Sequence, residues 1–368
     1  MDTTTMTTSG LEGVVVAETR LSEVDGERGR LVVAGHDIEQ LAGRVTFEDL
    51  AALLWSGSLP DADGREAQRR ALAAGRVAAF ERLAATGDAT GLADGMDALR
   101  ATTAHLSAQA GFDAPAQLTG AIAVYAAAWV RVRDGGRPVA PDPTLSHAAD
   151  YLRMLGGDPQ DAARIAGLDA YLVTVADHGL NASTFAARVV TSTGSDAVSA
   201  IVAAIGALKG PLHGGAPGPV LDMLDAVGAP ENATAWIDAE LAAGRRIMGM
   251  GHRIYRVRDP RAAVLERAIA LLERAGVSTG RLALARAVER AAEGALRTKY
   301  PGRPLAANVE FYTAVLLDTV GIDRAAFSPT FAVGRVPGWC AHVLEQRATG
   351  RLIRPASRYV GPLPACDA

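Results

Sequence analysis

The chain has 368 residues, of which 49% are apolar and 21% charged, with a net charge of −4. That length buries a sizeable core and usually makes two domains, and the slightly acidic balance leaves no basic field to draw nucleic acid. Its two cysteines, Cys340 and Cys366, show no CxxC spacing, which excludes a disulfide scaffold and fits a reducing, cytoplasmic setting.

In chain order, residues 1–10 are threonine-rich without a basic or apolar leader pattern, so no signal or transit peptide is expected. Residues 13–17 (Gly-Val-Val-Val-Ala) and 30–33 (Arg-Leu-Val-Val) flank the polar run 23–29, a pattern that predicts a short N-terminal β-hairpin. Beyond Asp37, alanine, leucine and arginine recur at helical spacing. The apolar runs 121–130 and 197–208 fall far short of the ~20 residues of a membrane span and read as buried helices.

Helix punctuation is repeated down the chain. Asp142-Pro143 predicts a helix start and Gly156-Gly157 its end; Asp158-Pro159 opens a helix running to Gly179. Ser195-Asp196 opens another that stops at Gly210-Pro211, and Asp259-Pro260 one that stops at Gly276. Asn308 caps a helix through Thr319, and Ser328-Pro329 starts the last one, ending near Gly350. Many helices joined by short connections predict a mainly α fold. The breaks at 210–218 and 320–328 bracket a smaller domain, 216–320, set against a larger one of 1–215 and 321–368.

Three histidines stand at glycine-rich breaks. His213 lies between Gly210-Pro211-Leu212 and Gly214-Gly215-Ala216, just before a helix restarts at Pro217. A helix N-terminus disfavours the imidazolium, and a neutral imidazole can donate to an oxygen that becomes enolate-like. A histidine that only bonds backbone in the turn is an equal reading of the same residues. His252 follows Gly249-Met250-Gly251 and by itself reads as a loop histidine; Arg253, Arg256, Arg258 and Arg261 come next. Arg261 sits in a first helical turn, where a cation opposes the dipole but suits a bound anion. His178, in Asp177-His178-Gly179, reads locally as a helix-end residue.

Glu310 lies in the first turn after Asn308 and is either a dipole-complementing carboxylate or a general base among apolar neighbours. Arg335 is embedded in the apolar run 331–339, and Arg354 sits between Leu352-Ile353 and Pro355. Guanidinium groups there would serve a carboxylate ligand or an internal acid. No HExxH, no histidine pair at i,i+4 and no Cys/His cluster occurs, so no metal centre is expected; three converging histidines leave a zinc site as the rival reading.

Taken together and in this order, the segments resemble the citrate synthase family in its shorter bacterial and archaeal form. The likeness spans residues 35–38, 95–100, 177–183, 210–216, 248–261, 308–312, 335–342 and 354–361. It implies a two-domain helical fold that condenses acetyl-CoA with oxaloacetate to citrate, the entry step of the tricarboxylic acid cycle, as an acyltransferase without cofactor or metal. It further implies His213, His252 and Glu310 as catalytic residues, and His178, Arg261, Arg335 and Arg354 as oxaloacetate ligands. Arg246, Met248, Gly249, Met250, Gly251 and Arg256 match the family's CoA-binding segment. Arg354 matches a residue that enters the site from the other subunit, so an obligate homodimer is implied.

Three departures mark a divergent member, of the kind found as a second citrate synthase. Glu310 replaces an aspartate, Pro217-Gly218 replaces Asn-Glu, and Lys299-Tyr300-Pro301 stands apart from Asn308 by the insertion 302–307. Propionyl-CoA as donor, giving 2-methylcitrate, and a non-catalytic CoA- or dicarboxylate-binding paralogue are the alternatives.

Overall fold

The structure, a computed structural model, describes residues 10, 11, 13–213, 217–252, 254–277, 280–303 and 305–362. Gly214, Gly215, Ala216, Arg253 and Cys366 lie outside the described residues.

A small antiparallel sheet opens the fold: β1 (Ser22–Asp25), β2 (Arg30–Val33) and β3 (His36–Asp37). The predicted first strand at 13–17 is not one. The polar run itself pairs, Glu23 with Val32 and Asp25 with Arg30, because only residues 26–29 are needed to turn, and Leu31 and Val33 supply the buried face. A third strand, pairing Val32 with Asp37, extends the hairpin.

Fifteen α-helices follow among the described residues. The first nine are α1 (Ile38–Leu41), α2 (Phe47–Ser56), α3 (Ala62–Glu81), α4 (Gly95–Ala104), α5 (Pro115–Arg133), α6 (His147–Leu155), α7 (Ala162–Val175), α8 (Ala182–Ser192) and α9 (Ala197–Leu208). The rest are α10 (Pro217–Val227), α11 (Ala233–Ala242), α12 (Pro260–Arg274), α13 (Arg281–Lys299), α14 (Val309–Val320) and α15 (Phe327–Thr349). The mainly α expectation holds.

Two helix starts fall later than the Asp-Pro signals predicted. Asp142 accepts from Thr144 N at 2.9 Å and Thr144 Oγ1 at 2.6 Å, closing a local turn, and Ser146 caps α6 instead. Asp158 likewise accepts from Gln160 N at 2.8 Å, and Asp161 caps α7. Helix α7 also stops at Val175 rather than Gly179, which frees Asp177 and His178 from the helix.

Helix α5 is buried on all sides from Leu118 to Val130, clamped by α3, α4 and α15. No helix of the described residues is long and apolar enough to cross a membrane. Glycine sets the closest approach of α3 to α5: a Cβ on Gly120 would lie 2.4 Å from Arg76 N. Helix α15 packs on α5, α7, α8 and α9, while α12 and α14 pack on each other and on α7. The turns after α7 and α9 therefore lie against α15, at Gly338 and Phe331.

Candidate active site

The site is assembled from one face of α15 and the turns it touches. Arg335 Nε donates to Val175 O at the end of α7, and its guanidinium carbon lies 4.9 Å from the Phe331 ring centre. Trp339 Nε1 donates to Ser183 Oγ at 3.1 Å, and Ser183 Oγ lies 2.7 Å from His213 Nε2. His342 Nε2 lies 3.1 Å from Asp177 Oδ1. Positions 335, 339 and 342 share a helix face. Gly338 lets that face reach the turn, for a Cβ there would stand 2.1 Å from Ala176 O.

His178 sits in the turn after α7, and the positive φ of Gly179 (59°) completes it. The ring is buried, with Nε2 3.1 Å from Tyr255 Oη and its centre 5.8 Å from that of His252. Burial first, then Arg261 and Arg335, pushes His178 well below the ordinary histidine range, so the ring is neutral.

His252 is held by its own loop. Nδ1 accepts from Ile254 N at 2.9 Å and Tyr255 N at 3.0 Å, so the proton of the neutral ring sits on Nε2. Burial, with Arg261 adding to it, lowers its pKa to about 4. His213 is also brought down to about 4, by burial and then Arg335. Both imidazoles are thus neutral donors at pH 7.

The His252 loop is stitched to the start of α14. Gly251 N donates to Ala306 O at 2.8 Å, Asn308 N to Gly249 O at 2.9 Å, and Asn308 Nδ2 to Gly251 O at 2.9 Å. Gly249 (φ 73°) and Gly251 (φ 87°) adopt left-handed backbone here, and a Cβ on Gly249 would meet Phe311 at 2.9 Å. This seam sets Glu310, whose N–H bonds Asn308 Oδ1 at 3.0 Å, beside the histidine loop. Burial raises the Glu310 carboxyl to about 7, with Asp259 adding to the rise and Arg261 and Arg335 opposing it. Glu310 therefore lies within electrostatic reach of both arginines.

Arg261 is buried and paired through Nε and Nη2 with Asp259, at 3.0 and 2.7 Å. Asp259 also accepts from Val309 N at 3.2 Å, which locks the loop, α12 and α14 together. Burial works against the Arg261 charge, but Asp259 outweighs it and the pKa rises. Among the described residues Arg335 has no such acid partner at hydrogen-bond range, and burial draws it down to about 10.

His178, His252, Arg261, Arg335 and Glu310 thus converge, with His213 joined through Ser183. Arg354 stands apart: it is exposed on the irregular segment after α15. Arg246 and Arg256 are exposed, Gly249 is buried, and Met248, Met250 and Gly251 are partly buried; Met248 and Gly249 form a turn, and Met250 is bridged to Ala307. Sequence reasoning passed over Asp259, Ser183, Tyr255, Trp339 and His342. Asp259 read only as a cap; the i, i+4, i+7 spacing from Arg335 was the available signal for Trp339 and His342. Among the described residues no group of three or more His, Cys, Asp or Glu could hold a metal.

The family model described as citrate synthase, C-terminal domain, matches residues 10–356. Citrate synthase of Haloferax volcanii is 39% identical, covering 96% of this chain and 95% of its own. The 2-methylcitrate synthase of Mycobacterium tuberculosis is also 39% identical, over 96% of this chain and 90% of its own. The solved citrate synthase of Thermoplasma acidophilum, in ternary complex with carboxymethyl coenzyme A and oxaloacetate, superposes with a TM-score of 0.85 at 27% identity and 96% coverage of both chains. With this family model spanning nearly all of it, and with imidazoles, buried arginines and a carboxylate gathered at one point, the chain belongs to the citrate synthase family of acyltransferases.

Proposed function

We propose that the chain condenses acetyl-CoA with oxaloacetate and water, giving citrate and free CoA, with His213, His252 and Glu310 as its catalytic residues. The observation that carries this is Glu310, a carboxyl raised to about 7, seated where α14 is stitched to the His252 loop and within electrostatic reach of two buried arginines. A thioester methyl proton is a weak acid, so base and enol stabilisation act together. Glu310 takes that proton while His213 donates a hydrogen bond to the thioester oxygen. The enol carbon then attacks the oxaloacetate ketone, and His252 gives its Nε2 proton to the forming alkoxide. Water cleaves the resulting thioester and CoA departs.

Arg261, Arg335 and His178 are the ligands of the oxaloacetate dianion within the chain. Arg246, Met248, Gly249, Met250, Gly251 and Arg256 line the CoA path. Residues 216–320 act as a lid over a body of 1–215 and 321–368, pivoting near Gly210 and Gly321, to shield the enol from water. Residues 350–362, with Leu352 58%, Tyr359 68% and Val360 84% exposed, form an arm that carries Arg354 into a second copy's site in a homodimer. The buried, free Cys340 goes with a reducing, cytoplasmic setting.

The test is thiol release by the purified chain, with and without oxaloacetate, from acetyl-CoA and propionyl-CoA. We expect oxaloacetate-dependent release with acetyl-CoA preferred. One methylene is worth only ~1–3 kcal/mol of selectivity, so a propionyl preference would reassign the chain to 2-methylcitrate synthesis. No release from either donor by folded dimer would make it a binding paralogue.

A further inference from the structure

We propose that His342 is a positioning residue for oxaloacetate recognition, the middle of a buried relay that ties the His178 turn to the C-terminal arm. The proposal rests on the reaction assigned above. The relay starts where the arm leaves α15: Gln346 Nε2 donates to Arg351 O at 2.9 Å, just before Arg354. Gln346 Oε1 accepts from Arg188 Nε on α8 at 3.0 Å, and Arg188 Nη1 donates to His342 Nδ1 at 2.9 Å. An arginine only donates, so Nδ1 accepts and the neutral ring carries its proton on Nε2. That proton points at Asp177 Oδ1, 3.1 Å away, while Asp177 Oδ2 accepts from Gly179 N at 3.2 Å. The two bonds of Asp177 straddle His178.

Further ties fix both ends. Ser22 Oγ on β1 accepts from Gly179 N at 2.8 Å, and Ser192 Oγ on α8 accepts from Ile353 N in the arm at 3.0 Å. Arg188 Nη1 also reaches Glu345 Oε2 at 2.5 Å, and Glu345 Oε1 accepts from Arg20 N at 2.8 Å. Asp177, Arg188 and His342 are at most 1% exposed and Gln346 4%. Apolar side chains would hold α8 to α15 without the desolvation cost of so many polar groups. What the polar chain adds is direction: the bonds run in series from Gln346 through Arg188 and His342 to Asp177, so a shift of the arm is passed to the turn that aims His178. The relay touches neither the CoA segment nor Glu310, so its effect falls on one substrate.

The experiment compares His342→Leu, His342→Gln and Gln346→Leu in the full-length dimer, by steady-state kinetics in both substrates. The wild-type chain must first show oxaloacetate-dependent thiol release; if it does not, the assigned reaction fails and not the relay. We expect His342→Leu to raise the oxaloacetate KM about 10-fold or more, with the acetyl-CoA KM within about two-fold. His342→Gln, which can still donate to Asp177, should recover most of that loss. Gln346→Leu, which cuts only the link to the arm, should raise the oxaloacetate KM by about three-fold or more. The same increase in the double variant as in His342→Leu alone would show one path. A folded His342→Leu dimer with unchanged oxaloacetate KM overturns the proposal. Should His342→Leu not fold, an unchanged oxaloacetate KM in Gln346→Leu overturns it instead.

Discussion

Two deeply buried arginines, Arg76 and Arg335, show what separates a structural charge from a functional one. Arg76 is fully enclosed between α3 and α6. Its three nitrogens find Asp150 at 2.7 Å, His147 Nδ1 at 3.1 Å and Leu145 O at 3.2 Å. The surroundings extend the pattern, with Arg153 bonding Asp150 at 2.8 Å and His147 N bonding Glu48 at 2.7 Å. Arg335 is as deeply enclosed, yet among the described residues it has one backbone carbonyl and the face of Phe331, with Asp177 near but already engaged by His342. Arg261 is intermediate, giving two nitrogens to Asp259. A buried cation whose partner set is complete holds structure. One left short of anions is poised for a ligand that brings them.

Glu310→Gln removes the proposed base while keeping its shape, and kcat should fall about 100- to 10,000-fold with the melting temperature held or raised. A variant that keeps wild-type kcat would remove Glu310 from the mechanism. Next come the two arginines. Arg76→Leu strands Asp150 without its main cation and should cost about 3–5 kcal/mol in denaturant unfolding, while the KM values of the folded fraction stay unchanged. Arg335→Gln should do the converse, raising the oxaloacetate KM by about 10-fold or more with little loss of stability. If Arg335→Gln unfolds the protein and Arg76→Leu does not, Arg335 is the structural charge and Arg76 is not.

The pH profile sharpens the same contrast. The base must be ionised, and its pKa is raised to about 7 by burial, so log kcat/KM should climb with unit slope up to about pH 7 and then level. The histidines at about 4 add no limb between pH 5 and 9. By linkage, a raised carboxyl pKa favours the folded state most below about 4.5, and that contribution is lost as pH rises to about 7. The smallest effect is expected at the surface. Arg324 pairs with Asp222 at 2.9 Å in the open, and Arg324→Ala should cost less than about 1 kcal/mol, more at low salt than at high.

Much of the helical body was legible from local chemistry. Asp196, Asp259 and Asn308 cap the helices where they were predicted to, because an N-cap side chain meets backbone donors a few residues away. Asp142 and Asp158 misled for the same local reason: the aspartate found a nearer donor two residues on, closed a turn, and left the cap to Ser146 and Asp161. The hairpin was placed but its first strand was not, since pairing register depends on which residues the turn leaves free.

What the amino-acid order determined alone is therefore short-range: helix ends, glycine turns, the neutral bias of a histidine near a helix start, and a collinear series of segments shared with one family. Which distant groups meet is set by tertiary packing. Tyr255 bonding His178, two backbone N–H groups setting the His252 tautomer, and Asp259 holding Arg261 are contacts between separate turns and helices or within a folded loop. The physical reason is range. Caps and turns are satisfied within a few residues of themselves, whereas the charge state of a buried group depends on every element packed around it.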